Sequence, residues 1–409
     1  MKKKVLALLL VVALVASLAV VFAGCDPTDD GDGAKTLENI KFGMICLHDE
    51  NSTYDKNFID AMYEAAEALG LREDQVIIVT GIPESDACYQ KACELADEGC
   101  DIIFANSFGH EDYMIKAAKK YPNVLFAHAT GTKAHTENLP NFVNAFASIY
   151  EGRYMAGVAA GLKLNEMIAD GEITAAQAKM GYVGAFTYAE VMSGYTSFYL
   201  GAKSVCPTVT MDVRFTGSWY DETAENNAAK SLISGGCVLI SQHADSMGAP
   251  NACEEAGVPN VSYNGSTAAA CPNTFIVSSR INWAPYYTYL VNSLVNGTEV
   301  AKDWTGTIAT GSVVLTAIGP NAPAAGTQAA LDQVKAGLQN GTINVFDTAN
   351  WTVGGQKLTS YLADVDTDAA FTKDTEAIEN GIFFESKHRS APYFDVEIDG
   401  ITLLDRNYG

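Results

Sequence analysis

Basic side chains are scarce in this sequence. Lysine and arginine total 26 against 49 aspartates and glutamates in 409 residues, a formal net charge of -23. Nucleic acid is held through basic patches, so it is excluded as a partner, and so is adhesion to anionic lipid by charge. The short motifs of common catalytic sites are missing too. The chain has no G-x-S-x-G, no P-loop, no G-x-G-x-x-G and no H-E-x-x-H, and we read it as a protein that is not an enzyme. No C-x-x-C occurs, which removes support for a structural zinc site. Only 6 histidines are present. His48, His110, His128 and His243 fall at the carboxyl ends of strand-like runs, but no pair has the tight spacing of a metal motif. No metal and no cofactor is expected.

Apolar residues, in contrast, make up 48% of the chain, enough for a large core. The length suits two or three ordinary domains. Lys2-Lys3-Lys4, an apolar stretch from Val5 to Phe22 and then Ala23-Gly24-Cys25 have the layout of a secretory signal, so residues 1–24 read as an export segment. The competing reading is a permanent membrane anchor, since 18 apolar residues can just span a bilayer. Residues 25–37, acidic and glycine-rich through Asp26 to Ala34, read as a flexible tether. The eight cysteines beyond Cys25 are even in number, as pairing in an exported protein would need. Cys46, Cys100 and Cys237 lie in or beside apolar runs, where a free thiol packs as a small hydrophobe. Buried thiols and one or two disulfides both remain open.

Along the chain, strand-like and helical patterns alternate. Lys41 to Leu47 reads as a strand, His48 to Asp55 as a polar turn, and Phe58 to Leu69 as an amphipathic helix stopped by Gly70. Strands follow at Gln75–Thr80, Cys100–Ala105 and Asn123–His128, with a helix from Asp86 to Glu98 capped by Ser85. The helix from Tyr150 carries Gly157 and Gly161 on one face, which implies close packing against a sheet. The alternation restarts with strands at Lys179–Phe186, Val209–Phe215, Val238–Ser241 and Asn260–Tyr263. This predicts an α/β fold of two doubly wound parallel-sheet lobes in a clamshell, with a ligand cleft between them. The expected boundaries are 38–146 plus about 273–303 for the first lobe and 147–272 plus about 304–345 for the second, with 346–409 as a less regular extension. Thr305 to Leu315 reads as a hairpin, Ala324 to Gly341 as a helix, and Phe394 to Leu404 as a final hairpin turning at Asp399-Gly400.

Several placed segments resemble motifs of the basic membrane protein family, the substrate-binding lipoproteins of ABC transporters for nucleosides and purines. They are Asn51–Phe58, Gly99–Ala105, Tyr150–Gly157, Gly217–Asp221 and Gln242–Ser246, in order, between about 38 and 345. Ala23-Gly24-Cys25 resembles a lipobox, which implies lipidation at Cys25 and a lipid-anchored protein on the outer side of the cell membrane. The resemblance implies a type I periplasmic-binding-protein fold with three hinge crossovers. It also implies capture of a purine nucleoside or base by a monomer, and delivery to ABC permease and ATPase subunits. The alternative is a binding lipoprotein of the same fold for a sugar or signal molecule, feeding a transporter or a sensor. Asn282-Trp283 and Pro285-Tyr286-Tyr287 are similar to a branch that includes purine-base binders. Where nucleoside-binding members carry an aspartate for the ribose this chain has Asn264, and their cationic lysine has only an approximate counterpart in Arg280.

A nucleobase needs a stacking face and paired donors and acceptors at its edge. Tyr54, Phe108, Phe186 and Trp219 sit at or just past strand ends and are the expected stackers. Asn51, Ser52 and Asp55 are expected at the base edge, with helix capping as the competing role for Asp55. Ser107 and Gly109 flank Phe108 in the same turn, while Asp112 is read as favouring a helix dipole. Gln242, Asp245 and Asn264 are expected to close the far wall.

Overall fold

A computed structural model describes residues 34–366 and 372–406. The export segment, the Cys25 lipidation site and most of the tether lie outside the described residues.

The first half of the chain alternates as β1 (Phe42–Ile45), α1 (Thr53–Leu69), β2 (Val76–Val79), α2 (Asp86–Asp97), β3 (Ile102–Ala105), α3 (Glu111–Lys120), β4 (Leu125–Ala129), α4 (Ala134–Glu137) and β5 (Phe142–Ala147). The chain continues through α5 (Ile149–Ala169), β6 (Lys179–Gly184), α6 (Ala189–Val205), β7 (Thr210–Phe215), α7 (Glu222–Ser234), β8 (Leu239–His243), α8 (Gly248–Ala256), β9 (Asn260–Tyr263) and β10 (Phe275–Ile281). Next come α9 (Ala284–Asn296), β11 (Asp303–Gly306), β12 (Val313–Leu315) and α10 (Thr327–Gln339). The last strands are β13 (Leu362–Ala363), β14 (Thr375–Glu376), β15 (Ile378–Glu379), β16 (Ile382–Phe383) and β17 (Ile401–Leu403).

Two large sheets result, a six-stranded one in the order β11-β5-β4-β3-β1-β2 and a seven-stranded one in the order β12-β10-β9-β8-β6-β7-β17. We call each sheet with its packed helices a lobe. Every pairing in them is parallel except β10 with β12. The central strands are apolar and buried on both faces, as helix-covered parallel strands must be. Ser52 caps α1 and Ser85 caps α2 through their hydroxyls, and Gly70 ends α1 in the left-handed conformation at φ 69°.

Before the extension the chain crosses between lobes three times, from β5 to α5, from β10 to α9, and from β11 to β12. The crossovers are stitched together, since Ser148 N–H donates to the Gly306 carbonyl at 2.8 Å and Asn282 N–H to that of Ser312 at 2.7 Å. Helix α9 returns to the first lobe because Trp283 and Tyr287 pack there. Trp283 stacks on Phe58 at 4.6 Å, and Tyr287 meets Phe42 edge-on at 5.6 Å.

Four expectations are corrected. Thr305 to Leu315 is not a hairpin: its two strands join different sheets and form the third crossover. The segment from about 273, expected in the first lobe, opens with β10, which pairs with β9 in the second, and the chain crosses after it. Gly157 and Gly161 pack against a helix, not a sheet. A Cβ on Gly157 would lie 2.0 Å from the Phe198 carbonyl oxygen of α6, and one on Gly201 of α6 2.0 Å from that of Tyr154, so these two backbones touch through glycine. Finally, Phe394 to Leu404 is not a hairpin, because β17 pairs parallel with β7 at the sheet edge.

The extension is part of the body of the protein. Phe346, Trp351, Phe383 and Phe394 are buried in the same core that holds the sheet residues Phe42 and Tyr182. The segment also reaches both lobes. Ser390 donates from N–H and Oγ to Asp303 of β11, at 2.9 and 2.8 Å, while β17 extends the second sheet.

All eight described cysteines are buried and unpaired, so the disulfide reading is not realised. Burial pushes the thiols of Cys88 and Cys253 up to about 12 and that of Cys100 to about 11, far from the thiolate that reacts. The native protein is expected to leave all eight unreacted with a chromogenic disulfide reagent at neutral pH and to expose all eight in guanidinium. Rapid labelling of several thiols before unfolding would contradict this burial.

Candidate functional site

The carboxyl ends of β1, β3 and β4 form one wall of a cleft between the lobes, and those of β6, β7 and β8 form the other. The lobes meet across it. Thr53, at the start of α1, donates from N–H at 2.9 Å and from Oγ1 at 3.2 Å to the Asp245 carbonyl. Between the walls lies a small cavity, lined by Leu47, Tyr54, Asp55, Ser107, Phe108 and Thr130 on one side and Glu190, Trp219, His243 and Asp245 on the other.

On the first wall the turn after β1 is braced from within. Ser52 Oγ accepts from Asp55 N–H at 3.1 Å, so Ser52 is the helix cap and Asp55 stands in the first turn. Asp55 Oδ1 accepts from His48 N–H at 3.0 Å and from Asn106 Nδ2 at 2.7 Å. Its Oδ2 is buried with no hydrogen-bond partner; His48 Nδ1 stands 3.5 Å away. Burial raises this carboxyl, but the hydrogen bonds from His48, Asn106 and Ser52 outweigh it and hold Asp55 below the usual carboxylate range. Tyr54 Oη donates to the Asn106 carbonyl at 2.6 Å, which fixes its ring at the wall. Thr130 adopts φ 65°, an outlying conformation for a β-branched residue. The adjoining turn is held by Glu111, whose buried carboxylate accepts from Thr132 N–H and Lys133 N–H at 2.8 Å each.

On the second wall Gly217, at φ 74°, turns the chain after β7 and presents Trp219. Trp219 lies edge-on to Phe186 at 5.0 Å, and Phe186 stacks on Tyr188 at 5.1 Å. Phe108 reaches across to Tyr188 at 5.4 Å. Glu190, in the first turn of α6, places Oε1 3.4 Å from His243 Nε2. Burial holds His243 below the usual imidazole value. It pushes Asp245 well above the usual carboxyl value, and the charges of Asp55, Glu225 and Glu190 add to the rise.

Behind this wall, Glu225 is fully buried and accepts from Asp221 N–H at 3.1 Å and Ser246 N–H at 3.2 Å. Burial raises it to about 7 in spite of these bonds. A carboxyl raised on folding adds stability that is complete below its unfolded value and lost as pH rises through the folded value. Unfolding midpoints in urea are therefore expected to fall from about pH 5 to about pH 8, less steeply in Glu225→Gln. Equal slopes in the two proteins would discount this group.

The structure brings Tyr54, Asp55, Ser107, Phe108, Trp219 and Asp245 together at the cavity and leaves the other expected residues off it. Ser52 is fully buried as the cap. Asn51 is exposed, donates from Nδ2 to Asp49 at 2.9 Å, and lines an outer groove with Asn264 and Arg280. Asn264 is buried at φ 64°, and Arg280 donates to Asn57 Oδ1 at 3.2 Å. Gly109 N–H donates to Glu84 at 2.7 Å, and Phe186 stands behind Trp219. Gln242 points the other way along β8, where its Oε1 accepts from Asn260 and its carbonyl from Arg153. Asp112 is exposed and pairs with Lys133. Sequence reading missed Leu47, Thr130 and Glu190 and did not name His243 as a ligand contact. The signal for Glu190 was an acid opening a helix just after Phe186-Thr187-Tyr188. Among the described residues no group of three or more His, Cys, Asp or Glu is placed to hold a metal.

Residues 42–344 match the family described as Bmp, ABC transporter substrate-binding protein PnrA-like. The chain belongs to the Bmp family. This Bmp-family protein is 31% identical over 338 residues to a purine-binding protein of Brucella abortus (strain 2308), covering 80% of this chain and 91% of that one. It is 26% identical over 257 residues to the nucleoside-binding protein BmpA of Lactococcus lactis subsp. cremoris (strain MG1363), with coverages of 61% and 67%. A Haloferax volcanii relative with the provisional name of a glucose-binding protein is 34% identical over 243 residues, 59% of this chain and 57% of its own length. Among solved structures, a solute-binding protein of an ABC transporter from Aeropyrum pernix K1 superposes with a TM-score of 0.63 at 16% identity, over 75% of this chain and 92% of that one. One from Conexibacter woesei gives 0.60 at 20% identity, with coverages of 75% and 98%. These share the fold. Bmp-family proteins are the extracytoplasmic, membrane-associated components of ABC transporters that bind substrate. Among the described residues no helix is long and apolar enough to cross a membrane.

Proposed function

We propose that this protein captures a purine base or nucleoside between its lobes and delivers it to an ABC importer. The carrying observation is the cavity itself. It sets Tyr54, Phe108 and Trp219 beside the carboxyls of Asp55, Asp245 and Glu190, with residues drawn from both sheets. Aromatic faces stack on a planar base, and carboxyls accept from its N–H groups. The Brucella and Lactococcus relatives, named for purines and nucleosides, support the same reading. Asn264, at the place where nucleoside-binding members carry the ribose aspartate, lines the groove outside the cavity together with Arg280. The protein acts as a monomer without catalysis, is tethered outside the cell by a lipid on Cys25, and meets a permease and its ATPase.

Thermal-shift and calorimetric titration with adenine, hypoxanthine, adenosine, inosine, uridine, glucose and other sugars tests this. A purine at about a hundred to a thousand times its Kd should stabilise the protein by about 3–4 kcal/mol. A midpoint that moves with a sugar and with no purine would transfer the assignment to the sugar class.

A further inference from the structure

We propose that Glu190 is a ligand-contacting carboxylate, and that it makes the cavity select a 6-aminopurine over the matching 6-oxopurine. This inference rests on the purine reading above and names which purines the site takes.

The argument is an inventory of donors and acceptors on the wall. A hydroxyl has one hydrogen to give, and those lining the cavity have given theirs to the protein. Tyr54 Oη donates to the Asn106 carbonyl, Ser107 Oγ to Glu84 Oε1, and Thr130 Oγ1 to the Ala129 carbonyl, each at 2.6 Å. The nearby amide of Asn106 donates to Asp55 Oδ1 at 2.7 Å. Apart from the Trp219 indole N–H, what remains for a ligand is mainly acceptor capacity. Asp55 Oδ2 is buried with only His48 Nδ1, 3.5 Å away, beside it, and so keeps acceptor capacity for a ligand. Glu190, on the opposite wall, is held through Oε1 at 3.4 Å from His243 Nε2, which leaves its second oxygen available. The unpartnered His243 Nδ1 is not available, because it faces the backbone of α6 at Gly194. Asp245 adds a third carboxyl. Because burial and its acidic neighbours favour its protonated form, it supplies one donor, suited to a ring nitrogen.

Adenine and hypoxanthine have nearly the same shape. They differ at the six position, where adenine carries an amino donor and hypoxanthine a carbonyl acceptor, with a compensating proton on the neighbouring ring nitrogen. Against acceptors on two walls the amino group can donate one N–H to each, whereas hypoxanthine offers the single N1–H beside a carbonyl oxygen that meets carboxylate oxygens. Sites built to bond one of these groups reject the isostere that lacks it. Glu190 is the discriminating member because Asp55 is committed to His48 and Asn106 through its other oxygen, whereas Glu190 is replaceable without dismantling the turn after β1.

Calorimetric titration of the purified full chain with adenine and hypoxanthine reads the preference directly, and adenosine against inosine repeats it for ligands that carry ribose. Adenine is expected to bind at least about tenfold tighter than hypoxanthine. In Glu190→Gln the new amide can donate to a carbonyl, so the ratio should fall by about tenfold or invert while the melting midpoint stays within a few degrees. An N-terminal helix acid with a merely structural role would lower the midpoint and leave the ratio alone. Equal affinities in the wild type, or a ratio untouched by the variant, would overturn this inference and leave the purine assignment standing. Binding of no purine of either kind would overturn both. The wild-type comparison needs no variant, so a poorly folding Glu190→Gln does not remove the test.

Discussion

Phe394→Ala is expected to lower unfolding free energy by about 3–5 kcal/mol, the range for truncating a buried aromatic. The family match stops at residue 344, so a reader of the alignment alone would take the remainder as a dispensable decoration. The packing says otherwise. Phe394 is fully buried, stacks on Phe346 at 4.3 Å and meets Phe383 edge-on at 4.8 Å. Phe346 in turn lies 5.2 Å from Tyr150 in the first turn of α5, next to the crossover from β5. Removing the Phe394 ring therefore opens a void beside the hinge. Guanidinium unfolding of the variant, with the exposed Phe384→Ala as the control, measures it. The control should stay within about 0.5 kcal/mol of wild type. Equal, small losses in both would mean that the extension is an independent appendage.

The second large effect belongs to the cavity. Trp219→Ala is expected to weaken purine binding by about 1–3 kcal/mol, roughly tenfold to a hundredfold, the cost of losing one stacking face. The side chain stands in a turn and is only partly buried, so the fold should survive its loss. Its carbonyl, which accepts from Asp245 N–H at 2.9 Å, is untouched by the substitution. Phe186→Ala, one ring further from the cavity, should cost less. Unchanged affinity in Trp219→Ala would remove the aromatic wall from the binding argument, and so the cavity from its role.

Much of this was legible because parallel strands buried on both faces have a composition few other segments share. Ile102–Ala105 and Leu239–His243 end in polar turns that land at the cleft, as their position at strand carboxyl ends implies. Pattern does not name the sheet that a strand joins. Phe275–Ile281 reads as a strand in either lobe, and only its pairing with β9 decides. Nor does it choose between Ser52 and Asp55 as the cap of α1, since both types cap and they stand three positions apart. Gln242 and His243 show how a one-residue step along a strand reverses a side chain. The histidine reaches the cavity, and the glutamine bonds inside the sheet. The extension was illegible because it packs through a few large rings on irregular backbone, which leaves no period to detect.

The pairing of β17 with β7 has a consequence for how the chain is made. Ile401 sits opposite Met211, 190 positions earlier. While the ribosome is still adding those residues, β7 is the bare edge of an unfinished sheet, offering free N–H and C=O groups to any passing strand. Pairings this distant in sequence also slow folding, because the intervening loop must close before the contact contributes. The edge of the second sheet thus stays open until Ile401–Leu403 arrives, and until then a chaperone has an extended window in which to engage the unfinished chain.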